Sequence, residues 1–477
     1  MYFMDSKTFD LIVIGAGPGG YVAAVRASQL GKKVAVIEKS SQLGGTCLNV
    51  GCIPSKCLLD ASYKFWQAKH QFESLGINVG KVQLDLDKMM AHKESVLDEL
   101  TKGIAHLFRK NNIQYVQGRA HLHSAHEVAV TDDDGKTKML TAESIIIATG
   151  SVPQSLPHLD FDEKEIYSST GILSLQSVPK HLVVIGGGYI GLEMGSVWLR
   201  LGSLVTVVEF CDKILGQADD DVRHSLQRSL EKQGMVFKLN HNVVGVSKKD
   251  KNKALCLHVL DTTSDESTLP ELITCDAVLV AAGRKPQTAN LNLEGVGIGV
   301  DARGYINVNM HYQTNVPSIY AIGDCIKGAM LAHKAMDEGV AVAEYLAGQA
   351  GSVNYDIIPA VVFTHPEIAT VGKTEQELKI GNYDYKVGKF SFAANGRAKT
   401  IGDTNGFVKI LTEAKTDRVL GCTIVGAEAG TLIGQVAAIM EFNGAAEDIA
   451  RTCHAHPTLN EAVKEAAWAA FDRPIHS

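Results

Sequence analysis

The stretch DLIVIGAGPGG at residues 10–20 decides the fold of this chain. A short β-branched apolar run stops there at glycine, and an alanine- and valine-rich segment with helical spacing follows it as far as Gly31. Residues 32–39, KKVAVIEK, then return as a second apolar run. The order of strand, glycine turn, helix and strand predicts a β-α-β unit of a parallel sheet.

The glycines of this turn have the spacing of a dinucleotide-binding loop. Gly15, Gly17 and Gly20 match G-x-G-x-x-G, in which glycine permits a tight turn, a close approach to a pyrophosphate and close helix packing. The following helix points its positive end at the phosphates. Glu38, which ends the second strand, can accept hydrogen bonds from ribose hydroxyls. Alone, the match is weak, because a glycine-rich packing turn also explains it.

The pattern occurs a second time, in HLVVIGGGYIGLE at residues 181–193. The glycines here are Gly186, Gly188 and Gly191. Glu209 lies 23 residues past the first of them, the same separation as between Gly15 and Glu38. Because chance rarely reproduces such a unit, we predict two dinucleotide sites. Glu209 would bond a free 2′-hydroxyl and repel a 2′-phosphate, which favours NAD(H) over NADP(H), although Arg200 on the preceding helix leaves NADP(H) open.

Further patterns outline the rest of the chain. Two apolar runs end in glycine, at residues 144–151 and 277–286, and a third, SIYAIGD, ends in Asp324, where parallel strands present ligand-binding groups. Prolines flank the second glycine unit like domain junctions, which predicts that it is inserted in the first. From about residue 351 the alternation of apolar and polar residues indicates an antiparallel sheet, with a helical tail from Thr431. We therefore predict an α/β chain with two Rossmann-like domains, one inserted in the other, and a C-terminal α+β domain.

Two cysteines lie close together in GGTCLNVGCIPSK at residues 44–56. A disulfide requires Cα atoms within about 7 Å, and an undistorted helix holds residues five apart farther away, so Cys47 and Cys52 need an irregular turn to pair. Pro54 suits the first turn of a helix, whose positive end stabilises a thiolate. The stretch therefore predicts a redox-active thiol pair, with two buried cysteines that never pair as the alternative.

The composition excludes several classes of protein. The net charge of −7 and the lack of a basic block argue against a nucleic-acid partner, and no apolar run is long enough to span a membrane. Nine scattered cysteines in 477 residues do not make a disulfide scaffold, and no motif predicts a metal site. The first residues, MYFMDSKTFD, have neither a signal peptide nor a basic amphipathic presequence, so we expect a cytoplasmic protein.

Taken together, GGTCLNVGCIPSK, GAGPGG, GGGYIGLE, ATGS, AAGRKP, YAIGD and HAHPTLNEA resemble the motifs of the pyridine nucleotide-disulfide oxidoreductases over nearly the whole chain. Within that family they are most similar to the members that oxidise dihydrolipoamide. The resemblance implies tightly bound FAD, NAD⁺, a homodimer, and a partnership with the acyltransferase core and lipoyl domains of 2-oxoacid dehydrogenase complexes. It implies an FAD-binding domain in two parts at 1–153 and 286–350, an NAD-binding domain at 154–285, and a dimerisation domain at 351–477.

The resemblance also implies roles for single residues. Cys52 would be the thiol next to the flavin, Cys47 would exchange with the substrate, and Lys56 would pair with Glu193 beside the flavin. His456, supplied by the partner subunit, would be the acid and base, oriented by Glu461. With the glycine motifs, the resemblance assigns FAD contacts to Gly15, Gly17, Gly20, Glu38, Lys39, Gly45, Thr46, Lys56, Gly118, Ala120, Thr149, Gly150, Ser151, Asp324, Met330, Leu331, Ala332 and His333. It assigns NAD contacts to Gly186, Gly188, Tyr189, Ile190, Gly191, Glu209, Val243 and Gly283.

Other functions fit the motifs less well. Glutathione reductases of this family favour basic residues where Glu209 stands. Mercuric reductases carry an extra cysteine pair at the C-terminus, whereas no cysteine follows Cys453 here. A flavin-binding protein without turnover would not need the full set of redox and acid-base residues.

Overall fold

The computed structural model of the protein describes residues 7–248, 254–265 and 268–476. The first segment of the chain contains seven strands and four α-helices among these described residues. The strands are β1 (Lys7–Ile14), β2 (Val34–Glu38), β3 (Gln114–Gln117), β4 (Arg119–Leu122), β5 (Glu127–Thr131), β6 (Thr137–Ile147) and β7 (Ser151–Pro153). The helices are α1 (Pro18–Gln29), α2 (Gly45–Val50), α3 (Cys52–His70) and α4 (Leu86–Lys110).

The first sheet has the order β3-β2-β1-β6-β5-β4. Strands β1, β2, β3 and β6 are parallel, and β4, β5 and β6 form an antiparallel meander. Every residue of β2 is buried, as expected for a parallel strand that is covered on both faces. The β1–α1–β2 order predicted from the glycine turn is therefore the centre of this sheet.

The second segment contains a parallel sheet and a smaller antiparallel one. Its strands are β8 (Ile166–Tyr167), β9 (His181–Ile185), β10 (Leu204–Val208), β11 (Val236–Lys238), β12 (His241–Lys248), β13 (Leu255–Asp261), β14 (Glu271–Cys275), β15 (Ala277–Val280) and β16 (Arg284–Pro286). Its helices are α5 (Tyr189–Leu201) and α6 (Asp220–Lys232). The parallel sheet has the order β11-β10-β9-β15-β8, and β12, β13 and β14 form the antiparallel one.

The chain returns to the first sheet after this segment. Strand β16 pairs with β7, and β17 (Ile319–Ala321) pairs in parallel with β6. Helix α7 (Ala332–Leu346) follows and packs against α1. The second glycine unit is therefore inserted in the first, as predicted.

The rest of the chain forms an antiparallel sheet covered by helices. Its strands are β18 (Ala360–Val362), β19 (Glu367–Gly372), β20 (Tyr385–Ser391), β21 (Phe407–Glu413) and β22 (Val419–Gly426), in the order β18-β19-β22-β21-β20. Its helices are α8 (Glu375–Ile380), α9 (Gly396–Thr400), α10 (Ala429–Glu441), α11 (Ala446–Arg451) and α12 (Asn460–Ala469). The predicted fold class is confirmed. Over the described residues, no helix has the length and apolar character needed to cross a membrane.

The fold brings several of the predicted site residues to one edge. The ends of β1, β6 and β17 align, because Ile14 pairs with Ile147 and Ile147 pairs with Ala321. Helix α3, which begins at Cys52, packs against α5 of the inserted segment. The loops after three parallel strands and the start of α3 therefore converge between the two glycine units.

Candidate active site

A cleft of about 400 Å³ opens where these strand ends meet. It is lined by residues of the first glycine loop, of α2 and α3, of the loop after β6, of the turn at Gly323–Cys325 and of the start of α5. Both Cys47 and Cys52 line it. The cleft therefore combines a nucleotide-binding edge with the thiol pair.

The first glycine loop is too tight for any residue other than glycine at two positions. Gly15 has a φ of +105°, and a Cβ there would lie 2.4 Å from the carbonyl oxygen of Ala148. A Cβ on Gly20 would lie 1.9 Å from the carbonyl oxygen of Gly15. Gly20 thus allows α1 to pack on the loop, as the motif predicted, and it does not itself line the cleft.

Glu38 holds this loop through its carboxylate. Its Oε2 accepts a hydrogen bond of 2.8 Å from the backbone N–H of Ala16, and its Oε1 accepts one of 2.9 Å from the N–H of Ser40. Bonds to an ionised acceptor are stronger than bonds between neutral groups. Each oxygen retains a lone pair that can accept a ribose hydroxyl.

The second glycine loop repeats this arrangement. The carboxylate of Glu209 accepts a hydrogen bond of 2.6 Å from the N–H of Gly187 and one of 2.8 Å from the N–H of Cys211. Gly186, with a φ of +108°, takes the place of Gly15. The two loops therefore share one design, in which an acid at the end of the second strand fixes the residue after the first glycine.

The two cysteines meet at a break between two helices. Helix α2 ends at Val50, Gly51 has φ −147° and ψ −109°, and α3 begins at Cys52. The irregular turn that pairing requires is therefore at Gly51. A Cβ there would lie 2.9 Å from the carbonyl oxygen of Thr46, so glycine suits this turn.

The structure carries the pair as two half-buried thiols with unlike acidities. The hydrogen bond from the Cys47 thiol, assisted by the Lys56 ammonium, lowers the pKa of Cys52 to about 7 against the opposing effect of burial. The same bond and burial raise the pKa of Cys47 above its usual range. Only one thiolate is therefore stabilised at a time, and it is that of Cys52.

Lys56 lies one helical turn after Cys52 and forms an ion pair with Glu193. Its Nζ is 2.9 Å from Oε2 of Glu193, whose side chain is only 3% exposed. The other carboxylate oxygen accepts a 3.0 Å bond from the backbone N–H of Phe363. The Phe363 ring centroid lies 4.5 Å from the Lys56 ammonium. Sequence reasoning missed Phe363, because a backbone donor leaves no signal in the sequence.

Asp324 is held at the cleft by a second polar network. Its Oδ2 accepts a bond of 2.5 Å from the Ser151 hydroxyl. Arg284 donates from Nε to that hydroxyl oxygen at 2.8 Å and from Nη2 to the Ser151 carbonyl at 2.7 Å. Arg284 also lines the cleft and was missed, although it lies within the AAGRKP motif.

His456 and Glu461 form a pair at the other end of the chain. The Nδ1 atom of His456 is 2.8 Å from Oε1 of Glu461, and Oε2 of Glu461 accepts a bond of 2.9 Å from the N–H of Thr458. The His456 side chain is 78% exposed, and among the described residues it is not one of those that line the cleft. The peptide bond before Pro457 is cis. The imidazole is therefore oriented and open to a second molecule.

The lining of the cleft fits FAD. The described part of the chain offers no hydrogen-bond partner to two buried polar atoms here, Asn49 Oδ1 and Thr149 Oγ1, which a bound polar ligand would satisfy. The residues assigned to FAD that line the cleft are Gly15, Gly17, Glu38, Lys39, Gly45, Thr46, Lys56, Thr149, Gly150, Ser151, Asp324, Met330 and Ala332. Those that do not line it are Gly20, Gly118, Ala120, Leu331 and His333.

The residues assigned to NAD are more dispersed. Tyr189 and Ile190, at the start of α5, line the same cleft as the thiols. Val243 lines a separate pocket of about 310 Å³. A Cβ added to Gly188, which precedes α5, would meet no atom within 4 Å, so the loop is open at this helix end. Gly186, Gly188, Gly191, Glu209 and Gly283 line neither cavity.

Two dinucleotide loops of one design, joined by a cleft that holds a thiol pair with one acidic member, define a pyridine nucleotide-dependent disulfide oxidoreductase. Comparison with known proteins agrees with this class. Residues 9–339 match the pyridine nucleotide-disulphide oxidoreductase family, and residues 358–467 match the dimerisation domain of that family. The chain belongs to this family. The predicted enzyme class, with FAD and NAD(H) as cofactors, is confirmed, and the dimerisation domain supports the predicted homodimer.

Similar proteins span nearly the whole chain. The mitochondrial dihydrolipoyl dehydrogenase of Pisum sativum is 52% identical over 98% of this chain and 92% of its own length. The mitochondrial dihydrolipoyl dehydrogenase of Homo sapiens is 50% identical over 98% and 92%. Among solved structures, the flavoprotein disulfide reductase RclA from Escherichia coli superposes with a TM-score of 0.86 at 28% identity, covering 97% of this chain and 99% of that one.

The predicted cytoplasmic location is wrong, because similar dihydrolipoyl dehydrogenases, those of pea and human among them, are named mitochondrial. The prediction was drawn from the first ten residues. Compartment is set by sorting signals, which are independent of the core packing and of the chemistry that the motifs encode. The sequence features that predict this fold therefore do not predict where it works.

Proposed function

We propose that this protein oxidises protein-bound dihydrolipoamide to lipoamide and reduces NAD⁺ to NADH, as the flavoprotein component of 2-oxoacid dehydrogenase complexes. The observation that carries the proposal is the pair Cys47 and Cys52, held one turn from the Lys56–Glu193 ion pair in a cleft between two dinucleotide loops. The names of the curated relatives support dihydrolipoamide as the substrate.

The thiol chemistry begins with the oxidised pair. His456 removes a proton from one thiol of dihydrolipoamide, because the thiolate is the attacking form. The substrate thiolate attacks Cys47, breaks the Cys47–Cys52 bond and forms a mixed disulfide, while Cys52 leaves as a thiolate. The second substrate thiol then attacks the mixed disulfide, closes lipoamide and releases Cys47 as a thiol. Two electrons have passed to the protein, whose disulfide is now the Cys47 thiol and the Cys52 thiolate. Of the two substrate protons, one is held by His456 and the other by Cys47.

The unlike acidities of the two cysteines set the direction of this exchange. A thiol of lower pKa leaves faster from a disulfide, and the pKa of Cys52 is lowered to about 7. The raised pKa of Cys47 makes it the sulfur that takes up the proton. The substrate thiolate therefore displaces Cys52 rather than Cys47.

The residues of the first glycine loop would hold FAD, which would supply two-electron transfer between the Cys52 thiolate and NAD⁺. Lys56 keeps a cation one helical turn from the Cys52 thiolate. Both oxygens of Glu193 are occupied, one by Lys56 and one by the N–H of Phe363, so the ammonium has a fixed position. The ion pair thereby stabilises the negative charge that Cys52 carries after exchange.

The substrate side of the site needs two subunits. His456 is exposed and oriented by Glu461, and it lies outside the cleft of its own subunit. In the homodimer, His456 of the partner subunit would face Cys47. Such a site exists only in the dimer, so dilution into monomers would abolish lipoamide turnover and leave FAD bound.

Each domain would have its own binding role. Residues 1–153 and 286–350 would bind FAD, residues 154–285 would bind NAD, and residues 351–477 would form the dimer. Glu209, placed like Glu38, would select NAD⁺ by accepting from the 2′-hydroxyl of its adenosine ribose. The acyltransferase core and lipoyl domains of 2-oxoacid dehydrogenase complexes would be the protein partners.

The test is the rate of NADH formation with defined thiol substrates. We expect turnover with dihydrolipoamide and NAD⁺, a higher kcat/KM with a dihydrolipoylated lipoyl domain, and negligible turnover with glutathione or with NADP⁺. Turnover with glutathione at a rate similar to that with dihydrolipoamide would contradict the proposal. A flavin-bearing protein that turns over none of these thiols would also contradict it.

A further inference from the structure

Helix α7 carries an ion pair in its first turns that is entirely buried. The ammonium of Lys334 lies 2.9 Å from Oε1 of Glu338, and both side chains are 0% exposed. The mechanism uses neither residue. Removing two charges from water is costly, and well-packed apolar residues of similar size are often as stabilising or more so. The pair therefore calls for a purpose other than holding the fold together.

The pair holds both peptide groups next to Gly323. The N–H of Gly323 donates a bond of 2.7 Å to Oε2 of Glu338, and Lys334 donates one of 3.2 Å to the carbonyl oxygen of Gly323. Opposite charges thus fix the peptide groups on the two sides of one glycine. Gly323 has a φ of +75°, a conformation that residues with a side chain rarely adopt.

The residue after this glycine is Asp324, which lines the cleft. Because the peptide group between Gly323 and Asp324 is fixed by Lys334, the direction in which the Asp324 backbone leaves the turn is also fixed. Its carboxylate then meets the Ser151 hydroxyl at 2.5 Å. The ammonium and carboxylate of α7 are thus one residue away from a polar group at the cofactor cleft.

Glu338 also connects the cleft to the C-terminal part of the chain. Its Oε1 accepts a bond of 2.7 Å from the Tyr355 hydroxyl, in addition to the ion pair with Lys334. Both carboxylate oxygens of Glu338 therefore have hydrogen-bond partners, and the carboxylate cannot rotate without losing charge-assisted bonds.

We propose that Lys334 and Glu338 are positioning residues that aim Asp324 at the polar chain of bound FAD by clamping Gly323 between opposite charges. This inference rests on the proposed function, since it takes FAD as the ligand of the cleft. It assigns to a fully buried ion pair the task of setting one backbone conformation at the cofactor.

The experiment uses the flavin-bearing protein and four variants. Glu338→Gln removes the charge with almost no change in shape, and Lys334→Met/Glu338→Leu replaces the pair with apolar residues. Lys334→Met removes the cation alone. Asp337→Asn, one residue earlier and exposed, is the matched control. The two readouts are the rate of FAD release on dilution, followed by flavin fluorescence, and the visible circular dichroism of the bound flavin.

We expect Glu338→Gln and the double variant to release FAD at least tenfold faster than the wild type and to alter the circular dichroism of the bound flavin. Asp337→Asn is expected to stay within twofold with an unchanged spectrum. A purely structural role would lower the unfolding midpoint in urea without changing the spectrum of the flavin that remains bound. The double variant is expected to unfold in a cooperative transition, which shows that it still folds although its flavin spectrum is altered.

The proposal is overturned if Glu338→Gln keeps both the wild-type release rate, within twofold, and the wild-type spectrum. If the wild type binds flavin and turns over dihydrolipoamide while Glu338→Gln behaves like Asp337→Asn, only this inference fails. A wild-type protein without flavin would reject the proposed function and this inference with it.

Discussion

The two glutamates that end the second strand of each glycine unit offer a matched pair of perturbations. Glu38 and Glu209 each accept two backbone hydrogen bonds. One comes from the residue that follows the first glycine of the motif, and the other from the residue two positions after the glutamate itself. Replacement by glutamine keeps the size and one acceptor oxygen, but it places an NH₂ group opposite a backbone N–H. One charge-assisted bond is therefore lost and the other becomes neutral.

The expected loss of nucleotide binding follows from the loss of these hydrogen bonds. A hydrogen bond to a charged group contributes roughly 1.5–3 kcal/mol, and the partly exposed position of Glu209 places it at the lower end of that range. Because about 1.4 kcal/mol corresponds to a tenfold change in binding, Glu209→Gln should raise the KM for NAD⁺ about tenfold or more. Glu38 is only 8% exposed, so Glu38→Gln should weaken FAD binding by a factor toward the upper end of the range, on the order of a hundredfold.

The assay separates the two nucleotides. Steady-state kinetics give the KM for NAD⁺, stopped-flow absorbance gives flavin reduction by dihydrolipoamide, and flavin fluorescence on dilution gives FAD release. Glu209→Gln should change the first and leave the other two within twofold. Glu38→Gln should speed FAD release and leave the KM for NAD⁺ unchanged in the fraction that retains flavin. The reasoning is refuted if Glu209→Gln leaves the KM for NAD⁺ within twofold of the wild type or if both variants affect the same nucleotide.

Three further predictions concern His456, Glu461 and Cys57, which lies on α3 five residues after Cys52. His456→Gln should lower turnover of dihydrolipoamide by about 10²–10⁴, as expected for loss of a general base, while flavin reduction by NADH stays unchanged; the neighbouring His454→Gln is the control, and a similar loss in both would contradict the assignment. Burial raises the pKa of Glu461, but bonds from the Thr458 N–H and from His456 outweigh it and hold the pKa below its usual range, so its contribution to stability is present above about pH 4.3 and is lost as the pH falls below that value. Glu461→Gln should therefore weaken the dependence of the urea unfolding midpoint on pH between about pH 5 and 3. An unchanged dependence on pH would argue against the pairing of Glu461 with His456. Burial, reinforced by Asp60, raises the pKa of Cys57, which disfavours the reactive thiolate, so Cys57→Ala should leave turnover and the rate of inactivation by hydrogen peroxide unchanged; slower inactivation would assign Cys57 a redox role.

Much of the fold could be predicted because periodicity and glycine spacing are local. The run from residue 10 to 39 predicted β1, α1 and β2, and the repeat at 181–209 predicted the second unit, since each glycine motif constrains only its own loop. The pairing of β17 with β6 confirms the insertion. The sequence did not predict the antiparallel strands β4 and β5 or the sheet of β12, β13 and β14, because their pairing depends on contacts that alternation alone does not specify.

The residues of the candidate site also fall into two groups, those that the sequence predicts and those that it does not. Side chains that belong to compact motifs, such as Cys47, Cys52 and Lys56, could be named from the sequence together. Groups that reach the site through the backbone or from distant segments could not. Phe363 acts through its N–H. Lys334 and Glu338 act on the two peptide groups of Gly323, which lies eleven and fifteen residues before them. Their contributions arise only when tertiary packing brings these segments together.

The proposed catalysis depends most on a disulfide between Cys47 and Cys52 that exchanges electrons with a bound flavin. Anaerobic titration of the oxidised protein with dihydrolipoamide, followed by its visible spectrum, tests this directly. We predict that one equivalent per subunit produces a long-wavelength band from the Cys52 thiolate beside oxidised flavin, and that Cys52→Ala abolishes the band while retaining FAD. A band that persists in Cys52→Ala, or two free thiols at these positions in the oxidised protein, would contradict it.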